Sequence, residues 1–215
     1  STIAIAIALL LAAALPGPAI AAKAKPAVIA PIGADDRTHL KDIEKYLDGI
    51  KTMQSPFLQI SSTGEQAQGM LYLSRPGRLR INYEPPVPVI IIANTSYLSY
   101  IDTEIKQIQH LPIDDSPASF LLRENFSFSA DGVVVSDYAK GAGATRVTLV
   151  RSKDPLAGRL TLVFSERPIQ LRKWTVVDAQ GVVTDVTLLN PRFDFPLPAD
   201  LFDFDERSLQ IDGRN

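Results

Sequence analysis

The sequence has no cysteine, two histidines, one tryptophan and little excess of charge of either sign. Its 22 Lys plus Arg face 24 Asp plus Glu, for a net of -2. Without cysteine there is no disulfide framework, no thiolate metal site, no cysteine nucleophile and no lipid anchor on an N-terminal cysteine. The near balance of charge argues against binding nucleic acid by neutralising phosphates. Only 7% of the residues are aromatic, yet 46% are apolar, and 215 residues of that composition fill the core of one domain.

Catalytic patterns are missing as well. No G-x-S-x-G, H-E-x-x-H or P-loop occurs. His39 falls at a helix start and His110 at a strand end, where a lone histidine is an ordinary surface or core residue. Gly141-Ala142-Gly143 lacks a third glycine and reads as a turn. The acidic pairs Asp35-Asp36 and Asp114-Asp115, and the group Asp203, Asp205 and Glu206, read as solvated caps and turns. The expectation is a protein that is not an enzyme and needs no cofactor and no metal.

Long apolar runs are rare, but one stands at the start. Residues 3–15 are only Ile, Ala and Leu, then Pro16-Gly17-Pro18 interrupts, and Ala19-Ile20-Ala21 follows. The run is shorter than the ~20 residues that span a bilayer. With an A-x-A end it predicts a signal peptide over 1–21, cut after Ala21, and export to a periplasm-like compartment. Residues 22–35 are Ala/Pro-rich without periodicity and read as a flexible leader, followed by one domain over 36–215.

Leu40, Ile43, Leu47 and Ile50 recur at helical spacing and predict an amphipathic helix over 38–52, capped by Asp35, Asp36 or Thr38. After Ser55-Pro56 the period changes to two. Strands are predicted over 57–61, 69–74, 78–83, 87–93, 97–102 and 107–111. Five more follow over 132–138, 145–151, 159–165, 170–177 and 182–190. Between the sets, Ser116-Pro117 opens a short helix over 117–122. Short turns leave no room for parallel crossovers, so the fold class is mainly β with some α: an antiparallel meander curled into an open half-barrel. In 78–83, Leu79, Ile81 and Tyr83 share one face while Arg78, Arg80 and Asn82 share the other. Residues 70–73, 89–92 and 133–135 are apolar on both faces. Two explanations stay open. Either the helix packs inside the curve and other segments cover its outside, or the concave side holds a cavity for an apolar ligand.

The run from Phe57-x-Gln59 through Gly69-Met70-Leu71-Tyr72-Leu73-Ser74-Arg75-Pro76-Gly77-Arg78-Leu79-Arg80-Ile81 to Tyr83-x-Pro85-Pro86 resembles the outer-membrane lipoprotein carrier family. So do 89–92, 97–102, Ser116-Pro117 with Phe120-Leu121-Leu122, and Phe193-x-Phe195-x-Leu197-Pro198. The resemblance implies a half-open barrel closed by a helical lid over a cavity for acyl chains. It implies a lid latch at Arg75 and a cavity lining that includes Leu79, Ile81, Tyr83, Phe120, Leu121 and Leu122. Ile81 stands where the family usually has tryptophan. The implied partners are acylated lipoproteins, an inner-membrane lipoprotein-releasing ABC transporter and an outer-membrane acceptor or receptor, with the carrier itself a monomer in the periplasm that binds no nucleic acid. A related half-barrel sensor or receptor domain is the alternative within the fold. A carboxylate-dependent periplasmic hydrolase is the alternative outside it.

If the A-x-A signal is read by the export machinery, the exported chain starts at Ala22. N-terminal sequencing of periplasmic protein checks this, and a sequence still containing residues 3–15 would reject it.

Overall fold

A computed structural model describes residues 32–94, 97–113, 119–129 and 132–205, with the side chains of Ser119 and Phe120 excepted. The expected signal peptide, most of the leader, Ser116-Pro117 and residues 206–215 lie outside the described residues.

The first element is helix α1, Ala34–Gly49. It starts earlier than its apolar stripe suggests, two residues inside the stretch read as leader, and Ile32 just before it packs against the core. Its N-cap is Gly33, which makes no side-chain bond; Asp35 and Asp36 occupy the first turn instead, where carboxylates suit the positive end of the helix dipole. Leu40, Ile43 and Leu47 are its buried face. The helix also ends earlier, because β1 runs from Thr52 to Ser61 and claims residues expected to be helix or turn.

The first half of the sheet continues with β2 (Gln66–Ser74), β3 (Arg78–Tyr83), β4 (Val89–Asn94), β5 (Tyr97–Asp102) and β6 (Gln107–Pro112). A four-residue helix α2, Ser119–Leu122, follows. The second half holds β7 (Val133–Gly141), β8 (Ala144–Arg151), β9 (Gly158–Glu166), β10 (Ile169–Asp178) and β11 (Val183–Leu188). A short β12, Arg192–Phe193, adds to β1.

Every pairing is antiparallel, and the spatial order is β6-β5-β4-β3-β2-β1-β11-β10-β9-β8-β7. The sheet therefore does not close. Its two edges, β6 and β7, are consecutive in the chain. Their connection must pass from one edge to the other, and α2 lies on that connection. Chain order alone thus puts a short helix across the open side of the half-barrel.

α1 crosses one end of the concave face. His39 meets Thr145 at the start of β8 at 3.1 Å, and the Leu171 N–H in β10 donates to the Tyr46 hydroxyl at 3.1 Å. The Tyr46 ring packs edge-on against Phe164 and Phe193. Beneath the helix, Phe57, Leu71, Ile81, Ile91, Leu98, Leu162, Trp174 and Val186 form one buried core from both halves of the sheet.

The doubly apolar strands have a partial explanation outside the curve. The C-terminal segment turns through a 3-10 helix, Ala199–Phe202, and buries Phe202. The Arg80 guanidinium, on the face opposite Leu79 and Ile81, donates to the Leu201 and Asp203 carbonyls at 3.0 and 3.3 Å. Ile92 and Ile101, the outward positions of β4 and β5, are buried and share a groove with Phe202 and Phe204.

Gly69 sets the closest approach in the sheet. A Cβ there would overlap the Asn82 carbonyl oxygen on β3 and press on the Phe57 ring, which packs edge-on against Tyr83 at 5.3 Å. Gly69→Ala should therefore cost about 1–3 kcal/mol of stability by overpacking. Urea unfolding measures this, and an unchanged midpoint would mean that β2 and β3 separate freely at this point.

Candidate functional site

The site grows from the turn between β2 and β3. Gly77 takes a positive φ of 74°, which a residue without Cβ adopts freely. The Arg75 N–H donates to the Lys51 carbonyl at 2.8 Å, anchoring the turn beside the end of α1. The Arg75 side chain then turns inward and is 9% exposed.

Its planar fork of donors joins two elements. Nε donates to the Leu121 carbonyl of α2 at 2.6 Å, and Nη1 donates to the Leu47 carbonyl of α1 at 2.6 Å. Both acceptors lie near helix ends, where carbonyls have lone pairs to spare; the Leu47 oxygen also accepts the Ile50 N–H at 3.2 Å. The Leu47 oxygen also sits at the negative end of a helix dipole, which favours a cation. Nη2 is buried and has no hydrogen-bond partner among the described residues. Burial pushes the guanidinium below its ordinary pKa, opposed by the Asp48 carboxylate and the Tyr46 phenol nearby. Arginine remains charged under such a shift. A third bond runs alongside, from the Gly77 N–H to the Leu122 carbonyl at 2.9 Å.

Beyond α2 the chain is held by α1 directly. The Phe126 N–H donates to Asp48 Oδ1 at 2.6 Å, and the Phe128 N–H donates to Glu44 Oε1 at 2.7 Å. The Ser127 hydroxyl donates to the same Glu44 oxygen at 3.1 Å. The Phe126 and Phe128 rings meet edge to face at 4.9 Å and are buried in the core.

The structure places most of the expected lining residues on one inner surface. Leu79, Ile81 and Tyr83 point into the concave side of β3, paired with Leu73, Leu71 and Gly69 of β2. Leu122 is buried, and Leu121 is partly buried against the same core. Phe120 belongs to α2, but its side chain lies outside the described residues. One polar contact interrupts the apolar wall: the Tyr83 hydroxyl donates to Gln59 Oε1 at 2.8 Å, and burial raises the Tyr83 pKa. No group of three or more His, Asp or Glu side chains suited to a metal occurs among the described residues.

An open antiparallel sheet, an inner helix across one end, and a lid held by an arginine from the β2–β3 turn now stand together. Residues 48–205 match the family model of the outer membrane lipoprotein carrier protein LolA. The chain belongs to that family. It is 28% identical over 151 residues to an uncharacterized protein of Rickettsia prowazekii, covering 70% of each chain. It is 27% identical over 176 residues to the outer-membrane lipoprotein carrier protein of Legionella pneumophila strain Corby, covering 78% of this chain and 86% of that one. Among solved structures, a LolA superfamily protein of Nitrosomonas europaea matches with a TM-score of 0.47 and 11% identity, over 77% of this chain and 97% of that one.

The resemblance named Arg75 and the β3 residues, which lie on the inner side as described. It did not name the Leu47 carbonyl, Gly77, Glu44, Asp48, Phe126 or Phe128, which the structure places in contact with the same elements. Backbone acceptors leave no mark on a sequence. The aromatic pair did leave one, a Phe-x-Phe directly after the predicted lid.

Ile81 is almost wholly buried between Leu71 and Ile91. An indole in its place must displace the side chains packed around it. Ile81→Trp should lower stability by about 1–3 kcal/mol, read by urea unfolding. An unchanged or raised midpoint would show that the closed interior holds room for a ring.

Proposed function

We propose that this protein is a periplasmic carrier of acylated lipoproteins. In this reading the signal peptide over residues 1–21 exports it, and the mature chain works as a monomer without catalysis or cofactor. It takes lipoproteins released by an inner-membrane ATP-driven transporter and hands them to an outer-membrane acceptor. The observation that carries the reading is the closure itself: the sheet is left open, and the gap is shut by a lid held through backbone carbonyls at Arg75.

The energetics suit a carrier. Acyl chains gain roughly 0.8 kcal/mol per CH₂ on leaving water, so a lipoprotein needs a shield in transit. The shield must also let go. A hydrogen bond from a charged donor contributes about 1.5–3 kcal/mol and a neutral one about 0.5–1.5 kcal/mol, so the Arg75 and Gly77 bonds hold the lid helix but are outweighed by a few buried methylenes. Closure therefore lowers the cost of release by a few kcal/mol, and the acceptor membrane supplies the rest by taking up the acyl chains.

Arg75→Leu tests this. The variant should fold and still take up lipoprotein, because the apolar interior is intact. It should fail at release, because the empty closed form no longer competes with the loaded one. Native mass spectrometry of periplasmic protein should show the variant with lipoprotein bound. A variant that hands cargo to acceptor membranes at the wild-type rate would end the latch role of Arg75.

A further inference from the structure

The last turns of α1 carry charge of the wrong sign for a helix end. Glu44 and Asp48 lie one turn apart on it, and its last turn has no basic residue. The negative end of the dipole disfavours carboxylates there, and like charges at i, i+4 repel. A broken local rule points to a gain elsewhere.

The gain is visible across from the helix. Four residues of α-helix advance about 6 Å, close to the roughly 6.6 Å that two residues of extended chain cover. Carboxylates at i and i+4 can therefore meet alternate N–H groups of one passing segment. Glu44 and Asp48 do so at Phe128 and Phe126, with the Ser127 hydroxyl sharing the Glu44 oxygen. The helix supplies two acceptors to a stretch that has no strand partner. Phe126 and Phe128 are thereby set into the core, while Asp48 also faces the Arg75 charge.

We propose that Glu44 and Asp48 are positioning residues that dock the segment after the lid helix onto α1, and that releasing this carboxylate clasp is a required part of opening. This rests on the carrier reading given above. The lid then has two separate attachments. Arg75 and Gly77 hold α2 by its carbonyls, and Glu44 and Asp48 hold residues 126–128 by their N–H groups. Opening at Arg75 alone would swing α2 but leave the two phenylalanines in the interior that acyl chains must occupy.

Hydrogen exchange of the full chain, followed by NMR, tests the clasp without cargo. Removing a charged acceptor frees the amide it held, so Asp48→Ala should speed exchange at Phe126, and Glu44→Ala at Phe128, by about ten- to a hundredfold. The Leu162 and Val186 amides in the sheet should keep their wild-type rates. Asp48→Asn and Glu44→Gln keep an acceptor oxygen and should restore part of the protection, which also covers the case of an alanine variant that does not fold. Unchanged exchange at Phe126 and Phe128, or an equal rise at Leu162 and Val186, would overturn the clasp.

A second arm uses a fluorescent dipalmitoylated lipopeptide. The alanine variants should take it up several-fold faster than wild type, and equal uptake would overturn the part assigned to the clasp in opening. If wild type binds no lipopeptide while the two amides respond as expected, the carrier reading fails and the docking contact stands.

Discussion

The arrangement depends on one buried guanidinium that joins two helix ends. Arg75 sits where the β2–β3 turn, the end of α1 and the lid helix converge, and its Nε and Nη1 donate to one carbonyl of each helix. No other side-chain type suits this position. Lysine carries a compact point charge without a rigid fork, and a neutral amide offers fewer donors and no charge for the dipole end of α1. Since Leu47 belongs to α1 and Leu121 to α2, the lid is referenced to the helix that crosses the half-barrel as well as to the β2–β3 turn of the sheet.

That choice follows from a sheet that stays open. A closed barrel has no edges to protect; here β6 and β7 remain, and both show the usual protections. β6 is mostly exposed and polar, with Gln107, Gln109 and His110, and it ends at Pro112. β7 shifts register between Val135 and Asp137 and carries Lys140 near its end. A bulge twists an edge away from further pairing. The two edges thus stay apart, and chain order requires the β6–β7 connection to pass between them.

The strands bounded by strong turn chemistry were legible in the sequence to the residue. β3 begins after Pro76-Gly77, and β5 ends at Asp102, whose carboxylate accepts the Glu104 and Ile105 N–H groups in the turn. β1 was legible only in its second half. Its inward positions are Met53, Ser55, Phe57, Gln59 and Ser61, all buried, and three of the five are polar. Alternation of apolar residues is therefore invisible there, although alternation of burial is strict. The helix start was misplaced for a related reason: Gly33 caps it with no side chain, whereas the sequence offered three conventional caps just beyond. Of the site, the resemblance pointed to Arg75 and the β3 lining because they lie in one continuous motif. The acceptors on α1 were hidden because a helix reads as charged and amphipathic whether or not its carboxylates have work on another segment.

The polar groups of the interior lie at different ends of the structure, and this separates closing from holding. Arg75, Glu44 and Asp48 gather where α1 meets the lid. The Tyr83–Gln59 contact lies further along the strands, toward the turn that follows Ser61, where the wall is part of the sheet ladder itself. Contacts of the first kind join the sheet and helix to residues 119–129, which have no strand partner. They can break without disturbing strand pairing. Contacts of the second kind cannot, because β1, β2 and β3 are continuous through the middle of the sheet. Low-stability segments are where conformational change concentrates, and they are recognised by few ladder bonds and few buried neighbours. By the first of those criteria residues 119–129, which pair with no strand, are the part best able to move, and the apolar wall of β1, β2 and β3 is held in place by its ladder.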